Sequence, residues 1–207
     1  MLRNVKGVIF DCDGVLFESR RANLAYYNAI LTHFNEPPVD ETDHEKVVIC
    51  HTAASPEVFR VLLGEDQIDA ALEVASRLNY RQFIPWMDPE PGLFEVLQEL
   101  SQSHRLAVAT NRGTSMSEIL SHFKMDRFFE VVVTSRDVAR PKPHADMLHL
   151  AASRLVVPHE QLLFIGDSIY DKMAADSAGI RFMAYKPQFE HSPCLSSHAE
   201  LAALLQI

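Results

Sequence analysis

The spacing of hydrophobic and polar residues divides the chain into two parts. From about residue 88 onward, short apolar runs alternate with stretches in which apolar residues recur every three or four positions. The spacing predicts helices over 93–101, 114–123, 145–155, 168–178 and 198–205, and strands over 106–109, 131–133, 162–165 and 180–185. A further apolar run over 5–10 predicts an opening strand. Such alternation is typical of a parallel sheet covered by helices on both faces.

The segment 17–87 has helical periodicity and little that is typical of strands. Apolar residues at 24, 27, 30, 31 and 34 share one helix face, and further helices are predicted over 57–63, after the start signal Ser55-Pro56, and over 68–80. The segment 41–51 fits either a short helix or a strand, and the proline-rich stretch 85–92 predicts a stiff connector or hinge. We therefore predict a doubly wound, Rossmann-like α/β core over 1–16 and 88–207, interrupted by an α-helical cap over 17–87 that covers the end of the first strand.

Composition and charge narrow the classes of partner. The chain of 207 residues is 47% hydrophobic and carries a formal net charge of −9, which argues against nucleic acid or an anionic membrane as the main partner. No apolar run approaches the roughly 20 residues of a membrane helix, and the first residues lack a signal-peptide pattern, so a cytoplasmic protein is expected. The three cysteines show no metal-ligand spacing and are expected to be reduced thiols, and the protein is expected to be a monomer or a homodimer.

Two aspartates, Asp11 and Asp13, come directly after the opening strand. In a parallel α/β sheet, ligands bind at the carboxyl ends of the strands. Because the two residues are two positions apart, an extended chain would project both side chains to the same side. Neighbouring carboxylates repel unless a cation or a proton lies between them, so the pair suggests a metal site or a nucleophile beside an acid. A simple Asp-Gly turn explains the same residues equally well.

Three later segments place further polar residues after strands. Thr110 and Asn111 precede a helix and fit an anion site, although either could cap that helix. Lys142 lies between two prolines, of which Pro143 is expected to be the first helical residue. Asp167 and Asp171 follow the strand at 162–165, and Asp171 could also form a capping box. Their joint occurrence at strand ends is far less probable than any single turn or cap.

Together these residues resemble the motifs of the haloacid dehalogenase (HAD) superfamily. The Asp-x-Asp-Gly-Val motif matches 11–15, the second motif matches Thr110, the third matches Lys142, and Gly-Asp-x-x-x-Asp matches 166–171. The resemblance implies that Asp11 attacks phosphorus to form an aspartyl-phosphate, and that Asp13 protonates the leaving oxygen and later takes a proton from water. It implies Mg²⁺ held by Asp11, the carbonyl of Asp13, Asp167 and Asp171, and phosphoryl oxygens held by Thr110, Asn111 and Lys142.

Single residues separate the branches of this superfamily. Haloacid dehalogenases lack an acid at the position of Asp13 and do not use Mg²⁺, so the sequence favours phosphoryl chemistry. The helical insertion and the loop at 110–112 resemble phosphoglycolate-phosphatase-like enzymes. β-Phosphoglucomutase-like enzymes typically carry a histidine ten residues beyond the acid, where this chain has Asn23. We expect a Mg²⁺-dependent phosphatase acting on a small phosphorylated metabolite, with a sugar-phosphate mutase or a non-catalytic phosphate-binding module as alternatives.

Recognition of the leaving group is expected beside the matched motifs and from the cap. Arg20 follows the first motif and Arg112 the second, so these two are candidates for an acidic or hydroxylated leaving group. Further cap candidates, for which a solvated surface position is the simpler interpretation, are Arg21, His51, Thr52 and Arg60.

Overall fold

The computed structural model describes residues 4–186 and 193–205. The strands are β1 (Gly7–Phe10), β2 (Phe17–Glu18), β3 (Asp88–Pro89), β4 (Arg105–Thr110), β5 (Val131–Thr134), β6 (Leu162–Gly166), β7 (Arg181–Tyr185) and β8 (Cys194–Leu195). The α-helices are α1 (Arg20–His33), α2 (His44–Thr52), α3 (Ser55–Leu63), α4 (Ile68–Arg77), α5 (Leu93–Leu100), α6 (Met116–His122), α7 (Asp146–Leu155), α8 (Ile169–Ala178) and α9 (His198–Leu205). Short 3-10 turns cover Glu65–Gln67, Tyr80–Gln82, Ile84–Trp86, Asp126–Phe128 and His159–Gln161.

The centre is a six-stranded parallel sheet in the order β5-β4-β1-β6-β7-β8. Strand β1 lies between β4 and β6, with Phe10 opposite Val108 on one side and Ile165 on the other. The chain runs outward from β1 through β4 and β5 and then returns to β6, so the strand order reverses at β1. Crevices at such a reversal are where open α/β sheets bind ligands. The predicted doubly wound α/β core is therefore confirmed.

Side chains from alternate positions of β1 enter two different core layers. Val8 and Phe10 pack with residues of α5, α6 and α9, whereas Ile9 packs with residues of α7 and α8. All three side chains are fully buried, and each such burial contributes on the order of 1.5–3 kcal/mol. Helix layers on both faces hold the central strand in place and leave its carboxyl end as the open edge.

Helices α1 to α4 occupy the segment between β1 and α5. They enclose a small core of their own, in which Tyr27, Ile30 and Phe59 are buried. A two-stranded antiparallel ribbon connects this helical segment to the sheet, with Phe17 opposite Pro89 and Glu18 opposite Asp88. The ribbon lies where the sequence predicts the two boundaries between core and cap, after residues 16 and 87. The division into core and cap domains itself stays a prediction.

Local capping decides where several elements begin and end. The ambiguous segment 41–51 forms helix α2 from His44, because the Asp43 side chain accepts a hydrogen bond from the Lys46 amide. The predicted helix over 68–80 ends at Arg77. The prediction that Pro143 begins α7 is wrong, since the amide of His144 donates to the carbonyl of Pro141 in a turn and the helix begins at Asp146.

The sequence expectation about the first residues rests partly on residues 1–3, which lie outside the described ranges. Within those ranges, no helix has the length and apolar character needed to cross a membrane.

Candidate active site

The polar segments predicted from the sequence meet at one edge of the sheet. Asp11 follows β1, Thr110 ends β4, Asp167 follows β6, and Lys142 lies in the connection between β5 and α7. All four side chains are buried, although aspartate and lysine are rarely buried without partners. The parallel strands thus bring residues distant in sequence into one cluster.

Gly14 permits a tight turn between β1 and β2. Its φ is +72°, and a Cβ atom at this position would lie 2.0 Å from Asp167 Oδ2. The turn is closed by main-chain hydrogen bonds, since the amides of Leu16 and Phe17 both donate to the carbonyl of Cys12. Only glycine allows both this backbone conformation and the close approach of the Asp167 carboxylate.

Lys142 is held between two carboxylates. Its Nζ lies 2.8 Å from Asp11 Oδ1 and 2.6 Å from Asp171 Oδ1. The other oxygen of Asp171 accepts hydrogen bonds from the amide and the hydroxyl of Ser168, in a complete capping box at the start of α8. Burial opposes the charge of Lys142, but the two carboxylates outweigh it and raise the pKa of the ammonium above its ordinary value. Asp171 therefore both caps a helix and positions the lysine.

Three buried acids crowd together beside Lys142. Carboxylate oxygens of Asp11, Asp167 and Asp171 lie within 4.8 Å of one another. Burial and the charge of Asp171 raise the pKa of Asp11 to about 7, although Lys142 opposes the shift. Burial, followed by the charges of Asp171 and Asp11, raises the pKa of Asp167 well above its ordinary value. One lysine does not balance three acids, so the cluster has the oxygen donors and the excess negative charge that suit a hard divalent cation such as Mg²⁺.

The carboxylate of Asp13 has different partners. Its Oδ1 accepts hydrogen bonds from Arg112 Nη2, from the hydroxyl of Ser19, and from Asn23 Nδ2 at 2.9 Å. Burial alone would raise the pKa of Asp13, but the charge of the Arg112 guanidinium and the hydrogen bonds from Arg112 and Ser19 hold it below the ordinary value. Asp13 is therefore an ionised carboxylate, and every hydrogen bond that it accepts from a described residue goes to Oδ1.

Arg112 is buried, and its two terminal nitrogens are bonded within the protein, to Ser115, Asp13 and Asn23, whereas its Nε finds no partner among the described residues. It is 9% exposed, its Nη2 also donates to Asn23 Oδ1 at 2.7 Å, and its guanidinium lies over the ring of Tyr80 at 5.0 Å from the ring centroid. The sequence predicts Arg112 as a leaving-group residue, whereas the structure places its charge opposite Asp13. The guanidinium is neutralised inside the protein.

The hydrogen bonds of Asn23 determine which ring nitrogen of His51 carries the proton. Asn23 Oδ1 accepts from Arg112 and from the hydroxyl of Tyr80 at 3.1 Å, so the amide nitrogen points the other way. That nitrogen can only donate, and it lies 3.3 Å from His51 Nδ1, which must accept. Burial also lowers the pKa of His51, so its ring is neutral with the proton on Nε2.

The Nε2–H group of His51 faces the acid cluster. Nε2 is buried, finds no hydrogen-bond partner in the described part of the chain, and lies 3.9 Å from Asp167 Oδ2. This separation is too long for a hydrogen bond. Helix α2 therefore presents an unused donor to the site.

Thr110 and Asn111 connect the second strand end to its surroundings. The hydroxyl of Thr110 accepts from the Arg112 amide at 3.2 Å. Asn111 Nδ2 donates to the carbonyls of Thr52 and Lys142, at 3.0 Å each. Asn111 therefore lies next to Lys142, and it also links helix α2 to the loop between β5 and α7.

A cavity of about 410 Å³ lies between the strand ends and the helices α1 to α4. Asp11, Asp13 and Thr110 form its floor, and Arg112, His51 and Thr52 also line it. These residues include the predicted nucleophile and the predicted acid, so the cavity can receive a small ligand beside both carboxylates.

Arg20 does not join this cavity. Its side chain is half exposed and pairs with Glu18 at 3.4 Å. Arg60 likewise pairs on the surface with Glu57 and Glu65. The prediction that Arg20 contacts the leaving group does not agree with this placement, because the side chain points to solvent from the first turn of α1.

The sequence did not identify the residues that donate hydrogen bonds to the Asp13 carboxylate. Ser19 and Asn23 are four residues apart, with Ser19 at the N-cap of α1, a spacing that places both on one side of the helix. This spacing could have indicated a shared partner. Tyr80 gave no comparable signal, because its contact with Asn23 joins residues 57 positions apart.

Comparisons with known proteins agree with this geometry. The family model described as haloacid dehalogenase-like hydrolase matches residues 8–185. A Salmonella choleraesuis phosphoglycolate phosphatase is 28% identical over 201 residues, covering 86% of this chain and 80% of the relative. The Bacillus cereus pyrophosphatase PpaX is 26% identical over 200 residues, covering 89% of this chain and 91% of the relative.

A solved structure extends the likeness to the whole fold. A HAD-superfamily hydrolase of subfamily IA, variant 1, from Geobacter sulfurreducens is 34% identical and superposes with a TM-score of 0.84, covering 97% of this chain and 99% of that one. The match spans the sheet, the helical insertion and all four polar segments, so this chain is an enzyme that belongs to the haloacid dehalogenase-like hydrolases.

Proposed function

We propose that the protein is a Mg²⁺-dependent phosphatase that hydrolyses a small phosphate monoester through an aspartyl-phosphate on Asp11. The observation that carries this proposal is the buried Asp11 carboxylate, which lies at the floor of the cavity 2.8 Å from the Lys142 ammonium. A carboxylate is a competent nucleophile once it is ionised, and the ammonium offers charge to the phosphoryl oxygens beside it. The names of the phosphatase and pyrophosphatase relatives support phosphoryl hydrolysis.

The acid cluster fits the metal that this reaction needs. The ligands would be the carboxylates of Asp11 and Asp167 and the main-chain carbonyl of Asp13, and bound Mg²⁺ would neutralise the negative charge shared by the cluster and the phosphoryl group. Both oxygens of Asp171 are already engaged by Lys142 and Ser168, so its role is to hold the lysine in place. We expect cytoplasmic hydrolysis of a phosphorylated metabolite, by a monomer or a homodimer.

Two half-reactions follow from the placement of the carboxylates. In the first, an Asp11 oxygen forms a bond to phosphorus as the ester bond breaks, and Asp13, which must take up a proton from solvent before this step, gives that proton to the leaving oxygen. In the second, water attacks the phosphorus, its proton passes to Asp13, and Asp11 is released with inorganic phosphate. The ionised state of Asp13 prepares this second, proton-accepting step. Lys142, Thr110 and the His51 Nε2–H group would hold the oxygens of the transferred group.

The surroundings of Asp13 favour hydrolysis over the mutase alternative. Asn23, which stands where mutase-like enzymes have a histidine, is fully used in bonding Asp13, Arg112 and Tyr80. An amide in that position has no ionisable proton to exchange with a sugar hydroxyl. The complete set of acids with Lys142 also argues against a module that only binds phosphate.

The test is phosphate release from p-nitrophenyl phosphate in the presence of Mg²⁺. We expect turnover by the native protein, a loss of about 1000-fold or more in kcat for Asp11→Asn, and little change for Asp66→Asn, the same chemical change at an exposed residue of the cap. Acid quenching of a reaction with labelled substrate should trap phosphate on the native protein and not on Asp11→Asn. Full activity of Asp11→Asn would exclude Asp11 as the nucleophile, and bisphosphate-stimulated isomerisation without phosphate release would support the mutase instead.

A further inference from the structure

The cap half of the cavity is formed by uncharged side chains. None of the described cap residues that line the cavity is an arginine, lysine, aspartate or glutamate, and His51 faces the Asn23 amide through Nδ1 at 3.3 Å. The side chains that give this surface its character are Tyr26, Tyr27, Ser55, Leu72, Ser76 and Leu78. A leaving group that enters this half of the cavity therefore meets rings, aliphatic groups and hydroxyls.

The cationic residues of the cap all lie elsewhere. Arg21 is exposed, and the other side chains pair with acids on the outer surface: Arg20 with Glu18, Lys46 with Asp43, Arg60 with Glu57 and Glu65, Arg77 with Glu73, and Arg81 with Glu118. None of them lines the cavity. An anionic leaving group would find no cationic partner on the cap.

On the core side, the buried cation that lines the cavity is Arg112, and its charge already has a partner. Arg112 is neutralised by its ion pair with Asp13 and has a second bond to Asn23. Arg136 also lines the cavity but is exposed to solvent, where water and salt weaken its attraction for an anion. Lys142 stands beside Asp11, where the phosphoryl group itself would bind.

The size and surface of the cavity suit a small apolar body. A volume of about 410 Å³ lies near the lower end of the roughly 300–1,000 Å³ usual for small-molecule sites, and the phosphoryl group occupies part of it. Tyr26 and Tyr27 contact each other edge to face with ring centroids 5.1 Å apart, and the Tyr27 hydroxyl lies 3.2 Å from Ser55 Oγ. These groups can pack on a ring and hydrogen-bond a hydroxyl.

We propose that the leaving group of the substrate is an uncharged alcohol with an apolar body about the size of one ring. The inference rests on the proposed phosphatase function and names the substrate class of the same site. It excludes as good substrates those whose leaving group carries a carboxylate or a second phosphate, the kind of substrate that the names of the phosphoglycolate phosphatase and pyrophosphatase relatives imply for those proteins.

The physical reason is the desolvation of the second charge. A carboxylate that loses water without gaining a cation is strongly disfavoured, whereas an apolar group gains from the same transfer. The discrimination of an apolar pocket against an added polar group is about 100-fold in kcat/KM. We therefore expect a preference of that order for an uncharged leaving group over its carboxylate analogue.

The direct test compares benzyl phosphate with 4-carboxybenzyl phosphate at saturating Mg²⁺. The pair differs by one remote charge, and the reacting oxygen is an alkyl oxygen in both. We expect kcat/KM for benzyl phosphate to exceed that for the carboxylate by about 100-fold. Equal values, or a preference for the carboxylate, would overturn the inference.

A charge introduced into the cap wall gives an independent test of the same idea. Ser76 lies on α4, is exposed on one side and lines the cavity, so Ser76→Arg adds a cation there, and Ser76→Gln is a neutral control of similar polarity. We expect Ser76→Arg to shift the ratio of the two kcat/KM values toward the carboxylate substrate by about 3-fold relative to Ser76→Gln, since water and salt weaken an exposed cation here as they do at Arg136. An identical ratio in both variants would count against a leaving group bound at this wall.

The two proposals fail in different ways. If the native protein hydrolyses p-nitrophenyl phosphate but neither benzyl ester, the phosphatase stands and the proposed leaving group is wrong. If it hydrolyses none of the three esters, the proposed function itself is wrong.

Discussion

Removal of divalent cations should make the protein less stable as the pH rises, because the acid cluster then ionises without compensation. The pKa of Asp11 is about 7 in the folded protein and has an ordinary value of 3.8. The folded state therefore binds a proton more tightly than the unfolded state, and the free energy of unfolding falls as the pH rises between these values. Asp11 is only 7% exposed, so solvent screening does little to reduce the effect.

The size of the effect follows from the difference between the two pKa values. A difference of about 3 pH units corresponds to at most about 4 kcal/mol of unfolding free energy, lost between pH 4 and pH 8. This is a large part of the 5–15 kcal/mol that is typical of a folded domain, at roughly 1.4 kcal/mol per pH unit. A bound cation should offset the loss, since a ligand that binds only the folded state adds stability by mass action.

Urea unfolding between pH 4 and pH 8, with a chelator or with Mg²⁺, measures this directly. Histidines also titrate in this range, so the informative quantity is the difference between the native protein and Asp11→Asn. We expect the native protein to lose stability relative to Asp11→Asn as the pH rises in the chelator, and the difference to shrink with Mg²⁺. If the two proteins show parallel pH dependence in the chelator, ionisation of Asp11 does not destabilise the folded protein, and the reasoning is refuted.

Two further predictions concern neighbouring residues. Gly14→Ala should greatly weaken the Mg²⁺ affinity measured by calorimetry, because the new Cβ would collide with Asp167. Gly92→Ala is the control. Gly92 has a similar positive φ and nothing within 4 Å of its Cβ position, so this variant should have similar backbone strain and an unchanged Mg²⁺ affinity. Arg112→Met should lower the free energy of unfolding by about 3–5 kcal/mol by leaving the Asp13 carboxylate buried without its cation, and Asp13→Asn in the same chain should restore most of it. Simple additivity of these two changes in chemical denaturation would show that the pair is not coupled.

Much of the fold could be predicted because its signals are local. Alternating apolar runs and helical periods in the second half of the chain correspond to strands β4 to β7 and helices α5 to α8 of the structure. The capping box of Ser168 and Asp171 is equally local, because both residues lie in one helical turn. Pro143 shows the limit of such signals, since a proline favours the first position of a helix but equally favours the turn that forms here.

The sequence predicts which residues belong to the candidate site, but not which of them contact each other. Parallel strands place their carboxyl ends together, so Asp11, Thr110 and Asp167 are expected at one edge from the strand pattern alone. The pairing of Arg112 with Asp13 joins residues 99 positions apart, and neither spacing nor composition indicates it. The same holds for the proton on His51 Nε2, which depends on the orientation of the Asn23 amide.

The sequence by itself determined the order of the strands and helices, the interruption after the first strand, and which polar residues stand at strand ends, because each depends on neighbours along the chain. Only the tertiary structure decided that Arg20 faces solvent, that Arg112 forms an ion pair with Asp13, and that uncharged residues of the helical segment between β1 and α5 line the cavity. The physical reason is that charge and burial depend on what packs across space. The fold determines which groups contact a side chain, and these contacts determine whether that side chain is still available to a ligand.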